Sequence, residues 1–368
     1  MADAPYEIAG GSSERRSVQP PRQLTALRLT LYALAYTIGA PVGMTPILQG
    51  AGPTGTLVGL LAATLLYALP QALVAAELAS VMPSQAGALV WVTRAFGPGF
   101  GFYYAWIQLL QFIGDISASC ALVSQQLRWL GVGGVGSGYA LDVGIRLAVL
   151  ALSSCVAVLS ISQLSRVVAP MMVLVAVAVS SGFLWATPDF TDAIFDDERL
   201  RADTSIHWAP TFTVLVWLFG GVTSVATAGG EAPSRTTMLK GLTGTCLTML
   251  LLYVMALFVM LAEFRSRDDL DSNRSFFLAA FSRVAPIFGT PFAVLVVIST
   301  GLNATTAIVS NGRFVWASPS LRRPRQSAPS ASVSSSSPTN AQIHNSAQTR
   351  CDLPFPLLAP NNTMCHSR

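Results

Sequence analysis

The chain is dominated by long apolar runs, each close to the ~20 residues that an α-helix needs to cross a bilayer. Eight such runs alternate with short polar connections. Of the 368 residues, 52% are hydrophobic and only 11% are charged, which is not the balance of a soluble domain. The sequence therefore predicts an all-α polytopic membrane protein with spans at 27–48, 56–76, 100–122, 141–159, 167–185, 212–228, 241–261 and 285–309.

The basic residues of the connections favour one orientation in the membrane. With a cytoplasmic N-terminus, twelve Lys and Arg residues lie on the inner side and eight on the outer side. No small-residue cleavage site follows a short apolar core near the N-terminus, so no removable signal peptide is expected. We therefore predict a multi-pass protein whose N-terminus faces the cytoplasm.

Several classes of function are disfavoured by composition. The formal net charge is +4, but the basic residues are spread along membrane flanks, so a nucleic acid is not an expected partner. The three histidines and five cysteines show neither metal-ligand spacing nor a catalytic neighbour. The sequence therefore predicts no metal site, no organic cofactor and no enzyme.

Two of the predicted spans carry helix breakers near their middle. In the first, "YTIGAPVGM" places Gly39, Pro41 and Gly43 within five residues. Because proline removes a backbone donor and glycine weakens a helix, an unwound segment is expected there. The sixth span repeats the device with Gly220 and Gly221 in "WLFGGVTSVATAGGE". Broken helices that bind substrate are typical of secondary transporters, and their separation by five spans predicts an inverted repeat of five helices. A kinked first helix without a ligand is the alternative.

The third predicted span contains a single carboxylate, Asp115, in "LLQFIGDISAS". No other charge lies between Phe100 and Arg128. A charge inside a membrane is unfavourable, so an ionisable residue there indicates a functional site. The alternative is a structural carboxylate, hydrogen-bonded to Ser117, Gln111 or a neighbouring helix.

Two further acids lie at the inner ends of predicted spans. Glu77 belongs to the block "AAELAS" in the second span, and Glu231 ends the sixth. Interfacial solvation or a salt bridge is the expected role of each, for example between Glu231 and Arg235 at i and i+4.

Several blocks resemble a known family. "GAPVGMTPILQGAGPTG", "LPQALVAAELASVMPSQAGALVWVTRAFGPGFGFYYAW" and "LLQFIGDISAS" resemble the opening third of the amino acid/polyamine/organocation transporter superfamily, in particular its polyamine permease branch from plants and trypanosomatid protozoa. "TAGGEAPSRT" and "NATTAIVSNGRFVWA" resemble its sixth-span and eighth-span elements, so the resemblance covers residues 25–317. It implies a LeuT-like fold of inverted five-helix repeats, incomplete here with about eight of about twelve spans.

The resemblance also implies a substrate site and an activity. The activity is uptake of polyamines of the putrescine and spermidine type by a proton-coupled symporter in the plasma membrane. An amino acid is the alternative substrate, because Thr223 stands where this branch often has an acid. The residues implied to line the substrate site are Gly39, Ala40, Pro41, Val42, Gly43, Asp115, Gly220, Gly221, Thr223 and Ser224.

The two ends of the chain differ in composition from the membrane region. Residues 1–24 are expected to form a disordered cytoplasmic N-terminus, and the Ser- and Pro-rich residues 318–368 a disordered tail. The abrupt change after Ala317 suggests a C-terminally truncated or frameshifted member of the family. A second hypothesis therefore stays open, in which the chain does not transport by itself and is inert or associates with a full-length relative.

Overall fold

The structure, a computed structural model, describes residues 25–37, 41–84, 86–132, 138–189, 208–222, 225, 234–263 and 275–317. The predicted N-terminal and C-terminal segments lie outside these residues. Within them every regular element is a helix, which confirms the predicted all-α class. In chain order the α-helices are α1 (Ala26–Thr37), α2 (Thr45–Ala62), α3 (Leu69–Val81), α4 (Ala88–Phe96), α5 (Pro98–Trp129), α6 (Tyr139–Val156), α7 (Ile161–Ala186), α8 (Trp208–Leu218), α9 (Arg235–Ala262), α10 (Phe276–Val284) and α11 (Pro286–Ala317).

Six helical stretches of the described chain are long and apolar enough to cross a membrane, and α8 is apolar but has only 11 residues. The difference from eight predicted runs has a physical cause. Helix breakers divide the first run between α1 and the start of α2, and they end the helix of the sixth run early. The six long stretches are Thr45–Val81, Pro98–Trp129, Tyr139–Val156, Ile161–Ala186, Arg235–Ala262 and Pro286–Val315.

The predicted connection between the first and second spans lies inside α2 and contains one non-helical residue. Gly52 has φ 70° and ψ 177°, a conformation that is essentially restricted to glycine. Pro53 follows, and its fixed φ suits the start of a helical stretch. The Thr56 hydroxyl donates to the Gly52 carbonyl at 2.6 Å. The boundary between the two spans is therefore a single non-helical residue and not a loop.

The second predicted span contains a widened turn just before Pro70. Residues Ala63–Ala68 form a π-helical turn, in which the Leu69 N–H donates to the Thr64 carbonyl. Proline cannot donate a backbone hydrogen bond, and a π-turn is one way for a helix to absorb that loss. The helix continues as α3, so Pro70 produces a local distortion of the helix and does not end it.

The first helix is enclosed by other helices. α1 lies against α7, α9 and α11, and α11 in turn packs along α5. Side chains of α1 are fully buried, among them Leu29 and Tyr32. Non-helical backbone at membrane depth is tolerated only where protein or a wet cavity surrounds it. The packing around α1 therefore allows its helix to be interrupted.

Candidate functional site

The first helix is interrupted where the sequence predicts it. After α1 the chain continues as a 3₁₀ turn, Pro41–Met44, which leads into α2. Residues 38–40, which include the predicted Gly39 and Ala40, lie outside the described part of the chain. The turn contains the backbone of Val42. The backbone of this turn is therefore 3₁₀-helical and belongs to neither α1 nor α2.

The sixth predicted span is interrupted as well. α8 ends at Leu218, and Gly221 in the following turn has φ 88°. A Cβ atom at Gly221 would lie 2.3 Å from Cδ1 of Tyr36, so both the backbone and the packing require glycine here. The Tyr253 hydroxyl donates to the Leu218 carbonyl at 3.2 Å and satisfies one of the carbonyls freed at the helix end.

The two interruptions lie against each other. Gly221 touches Tyr36, which belongs to the last turn of α1, and the partly exposed Gly220 lies in the same turn as Gly221. Thr223 and Ser224, also predicted to bind substrate, lie outside the described residues. The end of α1 therefore lies against the glycine turn that follows α8.

Asp115 lies at this junction. Its carboxylate accepts a hydrogen bond from the Trp217 indole of α8, with Nε1 3.3 Å from Oδ1. The Trp217 ring also covers Gly43, since a Cβ atom there would lie 2.9 Å from Cζ3 of the ring. We call these three residues, Asp115, Trp217 and Gly43, the Asp115 site. They come from three different predicted spans.

The hydrogen bond of Asp115 goes to a neighbouring helix, which is one of the contacts that the structural alternative expects. Gln111, another partner considered for Asp115, accepts from Gln108 at 3.2 Å. Among the described residues, every arginine salt bridge involves an acid other than Asp115. A carboxylate has about four acceptor positions, so one indole donor leaves most of them available to an ammonium group or a proton.

A chain of buried polar groups begins one turn after Asp115. The Ser119 hydroxyl, 1% exposed, lies 2.9 Å from the Asp115 carbonyl and 2.6 Å from Oδ1 of Asn303 on α11. The Asn303 amide nitrogen donates to the Tyr36 carbonyl at the end of α1. The chain therefore links α5, α11 and the interrupted first helix.

Sequence reasoning did not identify Trp217, Ser119 or Asn303 as parts of this arrangement. Trp217 carries one visible signal, a tryptophan three residues before the predicted break of the sixth span at Gly220. Asn303 carries another, as the one amide side chain within the eighth predicted span. Neither signal by itself indicates which residue the side chain contacts.

Glu77 lies away from this junction and forms a salt bridge, as expected for a structural role. Its Oε2 atom is 2.5 Å from Nη2 and 2.6 Å from Nε of Arg235, and both side chains are exposed. Glu231, the other acid considered for Arg235, lies outside the described residues. The arginine thus joins the end of α3 to the start of α9.

Comparison with known proteins agrees with the resemblance of the sequence blocks. The family model described as amino acid permease matches residues 24–318. The chain belongs to the amino acid permease family. This confirms the predicted superfamily, and the similar proteins that follow support its polyamine branch.

Three relatives illustrate the similarity. The polyamine transporter RMV1 of Arabidopsis thaliana is 26% identical over 236 residues, 61% of this chain and 46% of the relative. A probable polyamine transporter of the same plant is 29% identical over 140 residues, 37% of this chain and 28% of the relative. The polyamine transporter PUT1 of Oryza sativa subsp. japonica is 26% identical over 216 residues, 56% and 38% of the two chains. The chain thus matches less than half of the length of each of these relatives.

Proposed function

We propose that this permease-family chain takes part in the uptake of polyamines across a membrane by alternating access. One observation carries the proposal: Asp115, a carboxylate within a membrane-spanning helix, lies where two interrupted helices meet and has a neutral indole as its hydrogen-bond partner. Asp115 is half-buried, and a carboxylate in a membrane helix without a cationic partner is poised to pair with a substrate ammonium. The relatives named as polyamine transporters support this choice of substrate.

Trp217 supports an ammonium ligand by a second route. An aromatic face attracts a cation within about 6 Å of its centre, and the effect grows when water is excluded. The ring of Trp217 borders both Gly43 and Asp115. An ammonium at this point would therefore meet a carboxylate and an aromatic ring together.

A proton is the proposed coupling ion. A carboxylate facing a substrate amine binds its proton more tightly when the amine is absent, because the amine favours the charged form. Asp115 would thus exchange a proton for the substrate as the site fills and empties. The distribution of basic residues supports an N-terminus in the cytoplasm. The plasma membrane is proposed as the location because the family resemblance implies it.

Two alternatives follow from observations already given. A neutral or cationic amino acid is the alternative substrate, because Thr223 replaces an acid that the resemblance leads one to expect. The chain matches only part of its relatives, so association with a full-length relative is the alternative to independent transport.

The test measures binding and uptake with the chain as it is. Labelled putrescine is offered to the purified chain in lipid nanodiscs and to cells expressing it, with the Arabidopsis transporter RMV1 as positive control. Asp115→Asn and Asp115→Glu are compared with the wild type, and uptake is divided by surface protein. Removing a charge partner in a desolvated site weakens affinity by about 30-fold or more. We expect that loss for Asp115→Asn with putrescine.

Each outcome separates a substrate role from a structural one. If Asp115 only supports packing, Asn keeps most of its geometry, and uptake and surface protein fall together. An unchanged ratio for Asp115→Asn would remove Asp115 from the site and the polyamine proposal with it. Preference for a neutral amino acid over putrescine would favour the alternative substrate, and no binding by the wild type beside an active control would contradict the proposal.

A further inference from the structure

The end of α1 needs partners for its free carbonyl groups. The last four carbonyls of a helix have no acceptor role within it, and in a membrane no water replaces the missing donors. The Thr37 hydroxyl lies 3.0 Å from the Ala33 carbonyl and 3.1 Å from the Leu34 carbonyl. The Tyr36 carbonyl instead receives its hydrogen bond from Asn303 of α11. One helix end is thus completed by an amide from another helix.

The orientation of that amide is set from a third helix. Asn303 is 6% exposed, and its oxygen accepts from the Ser119 hydroxyl at 2.6 Å. This contact leaves the Asn303 nitrogen directed at Tyr36. Ser119 lies one helical turn after Asp115 on α5 and is within hydrogen-bond distance of the Asp115 carbonyl.

We propose that Asn303 is a positioning residue, which completes the end of the first half-helix and fixes its distance from Asp115. The substrate-binding part of this inference rests on the proposed function, whereas the structural part does not. Through Tyr36, Asn303 also acts on the contact with Gly221, so it holds both interruptions in register with the carboxylate. Its amide does not touch the substrate in this scheme.

The same helix offers a matched control. Asn311, two turns further along α11, is also 6% exposed, and neither its amide nitrogen nor its oxygen has a hydrogen-bond partner among the described residues. Leucine has the same number of side-chain heavy atoms as asparagine and the same branching at Cγ, although its volume is larger. Asn303→Leu and Asn311→Leu therefore make the same substitution on the same helix at equal burial, and they differ in the hydrogen bonds removed.

The first measurement needs no substrate. Hydrogen–deuterium exchange of the last turns of α1, residues 29–37, is followed by mass spectrometry in nanodiscs. Losing a buried hydrogen bond makes local opening about tenfold more frequent. We expect about tenfold faster exchange in Asn303→Leu and no change in Asn311→Leu. Equal exchange in the two variants would overturn the inference.

The second measurement uses putrescine. We expect Asn303→Leu to weaken putrescine binding by about tenfold while surface expression stays at the wild-type level, and Asn311→Leu to bind within about twofold of the wild type. If the wild type binds and both variants match it, Asn303 does not position the site, and the polyamine proposal survives. If the wild type itself does not bind, the proposed function fails, and the exchange measurement alone decides whether Asn303 positions α1.

Discussion

Two aspartates in neighbouring apolar helices have opposite surroundings. Asp142, in the first turn of α6, accepts from the Ser124 hydroxyl at 2.5 Å, lies 3.1 Å from Nη2 of Arg128 and also pairs with Arg146. Asp115, on α5, accepts from a neutral indole. The charge of Asp142 is therefore matched within the protein. That of Asp115 is not matched by any cation in the described ranges, which leaves it available to a ligand.

The comparison explains why a carboxylate in a membrane helix is not by itself evidence of a site. The Asp142 side chain is 11% exposed, joins α6 to α5 through Arg128 and pairs with Arg146 on its own helix, so its role is accounted for by packing and ion pairing. Asp115 has no such ion pair among the described residues. The number and charge of the partners, more than burial, distinguish a structural acid from a candidate binding residue.

The largest effect that would sharpen the contrast is expected from filling the space beside Asp115. At Gly43 a side chain would meet the Trp217 ring at 2.9 Å, so Gly43→Leu displaces the indole from the carboxylate. We expect putrescine binding to fall by about 30-fold or more, with the protein still inserted. Binding is measured in nanodiscs and insertion by surface labelling.

The control for this change lies beside Asp142. Gly144 on α6 has no atom within 4 Å of the position that a Cβ atom would take, so Gly144→Leu adds the same side chain into open space. We expect its putrescine binding to match the wild type. Wild-type binding in Gly43→Leu would mean that the interruption of the first helix is a kink without a ligand, and equal losses in the two variants would show that the loss is not specific to Gly43.

A smaller effect, on stability, is expected at the other aspartate. Asp142→Asn leaves Arg128 and Arg146 facing each other without a carboxylate between them. We expect the midpoint of thermal unfolding to fall by several degrees, because two like charges lose their common partner. Uptake divided by surface protein should stay at the wild-type value. A loss of this ratio at unchanged stability would show that Asp142 also serves transport.

The smallest effect is expected at the exposed pair. Glu77 and Arg235 are 51% and 65% exposed, so solvent screens their attraction. A double-mutant cycle of Glu77→Gln and Arg235→Gln should give a coupling energy below about 1 kcal/mol, further reduced in high salt. A coupling energy of several kcal/mol would show that this pair, like the ion pairs of Asp142, is a major contribution to stability.

The sequence predicts the places where helices break because the cause is local. Pro41, Gly43 and Gly220 carry their backbone preferences with them, so the interruptions could be located without tertiary information. The exact extent of the spans could not, since residues 49–55, QGAGPTG, read as a connection in the sequence, whereas the non-helical turn occupies one residue. The sequence also placed the start of the sixth span at residue 212, whereas α8 begins at Trp208.

The contacts of the site depend on tertiary packing and were beyond sequence reasoning. Asp115 could be selected, because a lone acid in an apolar run is conspicuous. Its partner Trp217 lies on a helix far along the chain, and the same is true of Asn303 and Tyr36. Spacing rules relate residues within one helix and do not predict which helices contact each other.

The one-residue junction at Gly52 also limits how this part of the chain can change in evolution. Each residue added to an α-helix turns the following face by about 100°. Surface loops absorb insertions and deletions, but here a single glycine separates two helical stretches. An inserted or deleted residue beside Gly52 would rotate every later side chain up to Val81 away from its present neighbours, so the region tolerates exchange of side chains and not a change of length.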